Sequence, residues 1–497
     1  VRRGGADLAR AMAPDRWVAT WAARRPEEPG LEFEGRVWTW AGLDQEVERT
    51  ARWLRSLGVG PGERVACLHR NHAHVVFLFL AASRLGAVFN PWNARLAPEE
   101  TAYRLRDADP RCVVVEPGLR DRLAAEVERS GRVVSFLQGA PAGDAAPAPA
   151  AGRGGPDAPQ ALLYTSGTTG RPKGALLPVR KGFFNALNAQ EFLEVGVGDR
   201  MLVVLPLFHS GALFIQVVPA LYAGATVVLH SRFDPERVAR TLMEDRITHF
   251  LAVPTVLRRV LDAGSAQHLR GLRVCGVGGE PVPPEMIASC LEAGVEVRQL
   301  LGQTETSIVL WASADDLRDR PGTVGRPVRH AELRLGPIRS GVGEIRVRGP
   351  ALMLEYWNDP ELTRRSFVRG WFRTGDLGRM DEGGYWYLAG RAKEMYISGG
   401  ENVYPAEVEA VLRAHPAVAD AAVIGVPDPR WGEAGHAFVE LRPGAEASAE
   451  DLRVWCSRRL ARFKCPRDVS FVARLPRTEL GKVRKDALRG LRRGTEP

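Results

Sequence analysis

Residues 164–174 read YTSGTTGRPKG, a run of hydroxyls and glycines set between two apolar runs that both read ALL. In such a loop, closely spaced backbone N–H groups and side-chain hydroxyls form a concave cradle for phosphate oxygens. Glycine permits the close approach that a β-carbon blocks. Thr165, Ser166, Gly167, Thr168, Thr169 and Gly170 make up the cradle, and Lys173 adds a mobile positive charge. This is not the Walker loop, GxxxxGK followed by Ser or Thr, because the lysine precedes Gly174 and no helix-opening hydroxyl follows. GQTET, residues 302–306, sets Glu305 among hydroxyls. One carboxylate beside phosphate-binding groups is a natural magnesium ligand. RTGDLG holds Asp376 in a Gly-flanked turn, where a carboxylate can accept both hydroxyls of a ribose. LAGRAKEMYISGGENVYPAEVE supplies Arg391 and Lys393 and then the pair Gly399 and Gly400, and LPRTELGKVRK presents Lys482 directly after Gly481. A Gly-Asp or Gly-Lys turn by itself is ordinary; the joint presence of these segments, in this order, carries the signal.

Loops of this kind need rigid elements to position them. From about residue 35 to 340, short β-branched runs (RVACL, CVVVE, MLVVLP, ATVVLH, LRVCGVGG) alternate with amphipathic patterns such as AGLDQEVERTARWLRSLG, a helix closed by Gly58. The alternation predicts an α/β fold, a large domain of parallel-rich sheets wrapped by helices. Residues 201–231 contain no Asp, Glu, Lys or Arg and by length alone could span a bilayer. Pro206, His209, Gly211 and Pro219 break this run into strand, turn, helix and strand, so a buried α/β unit is expected and no transmembrane segment. APAGDAAPAPAAGRGGPDAP, residues 140–159, has the composition of a flexible connection. Past residue 340 the texture turns to short strands and turns, a small β-subdomain. After residue 390 comes a compact α+β pattern, with strands at ADAAVIGVP and HAFVEL and helices at PAEVEAVLRA and AEDLRVWCSRRLA. A boundary near Gly390 divides the chain into an N-terminal domain, residues 1–389, and a small C-terminal domain, residues 390–497.

The bulk properties agree with a multidomain globular chain. Its 497 residues allow about three domains or subdomains, and 45% apolar with 26% charged residues is ordinary composition. Six scattered cysteines with no CxxC pair argue against a cysteine zinc site or a disulfide framework and fit a reducing, cytoplasmic setting. The net charge of +9 comes mainly from arginine, yet no arginine block is interleaved with aromatics. No nucleic-acid partner is therefore expected, and a surface suited to anionic substrates is the milder reading. The opening VRRGGADLARAMAPDRW has no apolar core, so no secretory signal is expected there.

Together TSGTTGRPKG, LPLFHSGA, GGEPVPPE, GQTET, RTGDLG, GRAKEMYISGGENVYPAEVE and LPRTELGKVRK closely resemble the adenylate-forming superfamily of acyl-CoA synthetases, nonribosomal adenylation domains and beetle luciferases, across residues 30–490. The resemblance implies two half-reactions. A carboxylate attacks the α-phosphate of ATP, releasing pyrophosphate and leaving an acyl-adenylate; a thiol, usually that of coenzyme A, then displaces AMP. Carried onto this chain, the loop 165–170 with Lys173 holds the outer phosphates, Thr304 contacts the α-phosphate, and Glu305 holds Mg2+. Gly278, Gly279 and Glu280 border the adenine, as do Leu301, Gly302 and Gln303, with Leu301 standing where the family usually has an aromatic. Asp376 and Arg391 grip the ribose, and Lys482 bridges carboxylate and α-phosphate. Lys393 matches the hinge about which the C-terminal domain swings, bringing the turn of Gly399 and Gly400 to the CoA side. His209 is expected to gate the acyl pocket, whereas His69, His72 and His74 of HRNHAH fall where the family passes from strand to helix and read as structural.

Three readings stand on these residues. The first is a carboxylate–CoA ligase acting on a short- or medium-chain aliphatic or an aryl acid, supported by the SGGEN loop and by PDPRWGE. The second is a stand-alone adenylation protein that loads a separate carrier protein. The third, a non-catalytic nucleotide binder, has no need to keep Lys482, Glu305, Asp376 and Arg391 together. A luciferase-type oxygenase shares the motifs and is the rare outcome.

Overall fold

The computed structural model describes residues 10–135, 155–165, 172–264, 266–279, 282–339, 341–392, 394–398, 401–429, 431–460, 462–478 and 481–493. It divides into two compact units, the first comprising residues 1–319, 326–332 and 347–372, the second residues 320–325, 333–346 and 373–497.

Two sheets build the first unit. A seven-stranded sheet runs in the order Glu355–Tyr356, Lys173–Pro178, Pro159–Thr165, Val88–Trp92, Arg64–Leu68, Cys112–Val115, Val133–Ser135. Its inner pairs are parallel, and strands such as Arg64–Leu68 and Val88–Trp92 are buried nearly end to end. Strands covered on both faces read as continuous apolar runs without alternation, which is why RVACL and CVVVE are legible. The nine-stranded sheet also has a parallel centre, containing Thr226–Leu229, Arg200–Val203, His249–Ala252, Val274–Gly278 and Val297–Gln303. Its edges depart from the parallel expectation. Val297–Gln303 pairs antiparallel with Ser307–Ala312, because a tight turn can join only antiparallel neighbours, whereas a parallel return needs a long crossover.

The charge-free run 201–231 resolves as expected into Arg200–Val203, a short helix Ser210–Ala212, a π-turn segment Leu213–Val217, the helix Val218–Ala223 and the strand Thr226–Leu229. Among the described residues no helix is long and apolar enough to cross a membrane. The helix Trp40–Ser56 is capped by Thr39, whose hydroxyl accepts from the Gly42 amide at 3.1 Å, and it ends before Gly58, at φ +82°. A left-handed residue after the last turn is where glycine costs least. Residues 140–154 of the Ala/Pro/Gly-rich connection lie outside the described residues.

In the second unit, Val418–Asp428 and Gly432–Leu441 form a long hairpin flanked by Tyr396–Ser398 and Asp468–Phe471. Helices Pro405–Arg413 and Ala449–Ser457 supply Val408, Leu412, Leu452 and Cys456 to its core. The second helix stops at Ser457, short of the Arg-Arg-Leu-Ala that its periodicity includes. The amides of Arg459 and Leu460 both turn back to the Cys456 carbonyl, at 2.9 and 2.8 Å, and close it.

Candidate active site

The two ends of YTSGTTGRPKG lie on paired strands. Pro159–Thr165 and Lys173–Pro178 pair antiparallel, with Thr165 opposite Lys173 and Tyr164 opposite Gly174. Ser166, Gly167, Thr168, Thr169 and Gly170 lie outside the described residues. Lys173 reaches toward the Tyr356 ring, its Nζ 5.8 Å from the centroid.

Glu305 stands in the turn that joins Val297–Gln303 to Ser307–Ala312. The turn is built tightly: the Thr306 amide donates to the Gln303 carbonyl at 3.1 Å, the Gln303 amide donates to the Thr306 hydroxyl at 3.2 Å, and Ser307 takes φ +61°. Gly302 is required there, since a β-carbon would lie 2.1 Å from the Ser307 carbonyl oxygen. The Glu305 side chain is buried and accepts from the Tyr356 hydroxyl at 2.8 Å, while its carbonyl accepts from the Met353 amide at 2.8 Å. Thr304, next to it, is half-buried. An ionised carboxylate has about four acceptor positions, and Tyr356 occupies one. A carboxylate fixed in this way suits a hard cation such as Mg2+, which takes oxygen ligands and one or two carboxylates.

Behind this turn lies a residue that sequence reasoning did not assign. Lys181, in the first turn of the helix Val179–Phe192, is fully buried and donates to the Ala351 carbonyl at 2.7 Å. Burial pulls its pKa down to about 7, against the opposing pull of the Glu305 charge. Its neighbour Arg180 donates to the carbonyls of Pro350 and Leu352, the latter at 3.1 Å. Residues 180 and 181 therefore clamp the segment whose Met353 amide and Tyr356 hydroxyl hold Glu305. Tyr356 and Lys181 were missed for one reason. Tyr356 is 51 residues from Glu305 and Lys181 is 170 from Ala351, and no local pattern announces such pairings.

Among the residues expected to border adenine, Gly278 ends the strand Val274–Gly278, where a β-carbon would fall 2.1 Å from the Leu300 carbonyl oxygen, and Gly279 follows at φ +84°. Leu301, half-buried, pairs across the hairpin with Leu310. Glu280 lies outside the described residues. His209, half-buried, precedes the short helix Ser210–Ala212, and its ring centroid is 4.2 Å from that of Phe208. The stretch before it is anchored by Asn71, which donates to the Leu205 carbonyl at 2.9 Å and accepts from the Leu207 amide at 2.8 Å.

Within the second unit, Asp376 and Arg391 face each other on adjacent antiparallel strands, with Arg391 Nε 2.6 Å from Asp376 Oδ1. RTGDLG is therefore not the turn expected of it but part of the strand Trp371–Met380, paired from Asp376 onward with Trp386–Arg391; within it Gly375 takes φ +71° and the Asp376 amide donates to the Thr374 hydroxyl at 3.0 Å. A buried carboxylate already oriented by a guanidinium is a pre-positioned acceptor for paired hydroxyls. Lys482 is exposed on a turn closed by the Thr478 amide to the Lys482 carbonyl at 2.6 Å and the Lys482 amide to the Thr478 hydroxyl at 3.1 Å, with Gly481 at φ +90°. Lys393, Gly399 and Gly400 lie outside the described residues.

Residues 18–357 match the family model described as AMP-binding enzyme, and residues 407–482 match that of the AMP-binding enzyme C-terminal domain. The chain is 38% identical to an indoleacetate–CoA ligase of Aromatoleum aromaticum, over 97% of this chain and 98% of that protein. It is 37% identical to a feruloyl-CoA synthase of an Amycolatopsis species, over 95% and 98%. Among solved structures it resembles the o-succinylbenzoate CoA synthetase of Bacillus subtilis in complex with its acyl-adenylate, with a TM-score of 0.87 and 32% identity over 95% of this chain and 97% of that one. With both family models matched and full-length relatives well above 30% identity, the chain belongs to the AMP-binding enzyme family, the adenylate-forming enzymes its motifs resemble.

Proposed function

We infer that this chain is a carboxylate–CoA ligase that uses ATP, Mg2+ and coenzyme A, passing through an acyl-adenylate and releasing pyrophosphate and AMP. The observation that carries the reading is the buried Glu305, held by Tyr356 inside the GQTET turn of a chain whose full-length relatives are CoA ligases. Mg2+, when bound, neutralises phosphate charge. Glu305 holds it, Thr304 donates to the α-phosphate, and Thr165 with Lys173 and the loop between them hold the outer phosphates. Asp376, kept in place by Arg391, accepts from the ribose hydroxyls. Lys482 bridges carboxylate and α-phosphate as negative charge builds there, the kind of electrostatic aid whose loss costs roughly 10²–10³ in rate. In the second half-reaction the C-terminal domain, residues 390–497, rotates about Lys393 and presents Gly399 and Gly400 to the thiol. His209 gates the acid.

The acid class rests on the relatives. The ligases for indoleacetate and for feruloyl groups, both of aromatic acids, favour an aryl acid over the aliphatic ones. The acceptor is free CoA on the same ground; a carrier protein is the alternative. The deciding measurement is AMP release from ATP with pooled aryl and short- to medium-chain acids, with and without CoA. Turnover that needs both an acid and CoA is expected. A single stoichiometric burst with acid that CoA cannot turn over would transfer the assignment to a carrier-loading protein.

A further inference from the structure

Between the strand Arg64–Leu68 and the helix Ala73–Leu85, the chain turns through the sequence HRNHAH. Folding brings its three imidazoles together. One nitrogen from each of His69, His72 and His74 lies within 4.8 Å of the other two, and the ring centroids of His72 and His74 are 3.9 Å apart. His69 is the most constrained. Its Nδ1 is 2.9 Å from the Arg70 carbonyl and 3.3 Å from a Glu116 carboxylate oxygen, while Glu116 is itself held by Arg70. A carbonyl can only accept, so Nδ1 carries the ring proton and Nε2 the lone pair. A ring N–H backed by a carbonyl and a carboxylate is the outer-shell arrangement that orients metal-binding histidines.

We propose that His69, His72 and His74 form a site for a divalent transition cation of the zinc class, with water completing a four-coordinate shell. Imidazole nitrogen suits Zn2+, whereas Mg2+ takes oxygen, so the site is chemically distinct from the one at Glu305. Zn–N bonds of about 2.0–2.1 Å in a tetrahedron place ligand atoms roughly 3.4 Å apart, so the rings close inward on binding. Glu116 and Glu34 favour a cation beside His72, while Arg36 opposes it. A further cost is visible. His72 Nδ1 accepts from the His74 amide at 3.0 Å and caps the helix, and ligation through either nitrogen of that ring removes this acceptor. The site is therefore weaker than a dedicated structural zinc centre. Asn71, inside the same turn, anchors Leu205 and Leu207 ahead of His209.

The test uses the full chain, freed of metal by chelation, without ATP. Titration with Co2+ is expected to give the visible d–d absorption of a tetrahedral centre, saturating at one equivalent and discharged by Zn2+ but not by Mg2+. His72→Asn replaces the ring with another good helix cap, so its metal-free melting temperature should match the parent while Zn2+ affinity falls by more than roughly tenfold. His74→Gln should lose affinity likewise, which keeps the test valid if one variant folds poorly. Absence of saturable binding, affinity unchanged in both variants, or a thiolate-to-Co2+ charge-transfer band pointing to cysteine ligands would each overturn the proposal.

Discussion

Tyr356 and Glu305 make a donor–acceptor pair in a buried setting, and a hydrogen bond to a charged group contributes roughly 1.5–3 kcal/mol. Tyr356→Phe keeps the ring beside Lys173 and removes only the hydroxyl. Adenylation in that variant is expected to need a higher Mg2+ concentration and to run roughly tenfold or more slower at saturation, read from pyrophosphate release across a Mg2+ titration. An unchanged Mg2+ dependence would mean that Tyr356 does not orient Glu305. Lys482 is exposed on its Gly481 turn, so Lys482→Ala alters chemistry with little effect on folding. It should abolish adenylation yet leave thioester formation from supplied acyl-adenylate nearly intact. Equal loss of both steps would remove the assigned role.

At the scale of elements, Glu305 and Asp376 each depend on a pair of antiparallel strands and on a glycine within it. The Glu305 turn exists because Gly302 lets the backbone approach Ser307, and the added atom of Gly302→Ala would meet backbone that cannot rotate away. The strands must then part, tilting Thr304 and Glu305 together. We expect a loss of about 2–4 kcal/mol, within the range for overpacking in a tight site, seen as a lower melting temperature together with lost adenylation. A variant that melts like the parent would show that the turn has slack. The Asp376–Arg391 pair also depends on its strands: cross-strand register brings the two residues opposite each other, with Gly375 at φ +71° just before Asp376.

For the molecule as a whole, the buried Lys181 links stability to pH. In the unfolded chain a lysine stays protonated to about 10.4, whereas in the fold burial lowers it to about 7. Between those values the unfolded chain holds a proton that the native one has lost, so stability rises with pH through this window and the burial penalty is complete below it. Lys181→Met has no proton to lose. From pH 7 to pH 9.5 the parent should gain about 3 kcal/mol of stability relative to the variant, measured by urea unfolding of both at each pH. Parallel pH profiles would show that Lys181 does not titrate in the fold.

The sequence alone determined whatever is written in local spacing. Fully buried parallel strands appear as unbroken apolar runs, so RVACL, CVVVE and the charge-free run 201–231 were readable as core. Glycine, hydroxyl and carboxylate at fixed offsets marked the GQTET turn, because a turn's chemistry lies within a few residues of itself, whereas RTGDLG, which reads as a turn in the sequence, lies within the strand Trp371–Met380. Only the tertiary structure decided which distant groups serve those turns. Tyr356 reaches Glu305 because Glu355–Tyr356 pairs onto Lys173–Pro178, one strand of the hairpin with Pro159–Thr165. Lys181, on the helix that follows that hairpin, loses its water because it is packed against residues 350–352. The three histidines of HRNHAH converge because the turn entering helix Ala73–Leu85 folds His69 back toward His72 and His74. Burial, charge coupling and convergence are properties of packing, and packing joins residues whose separation along the chain carries no periodic signal.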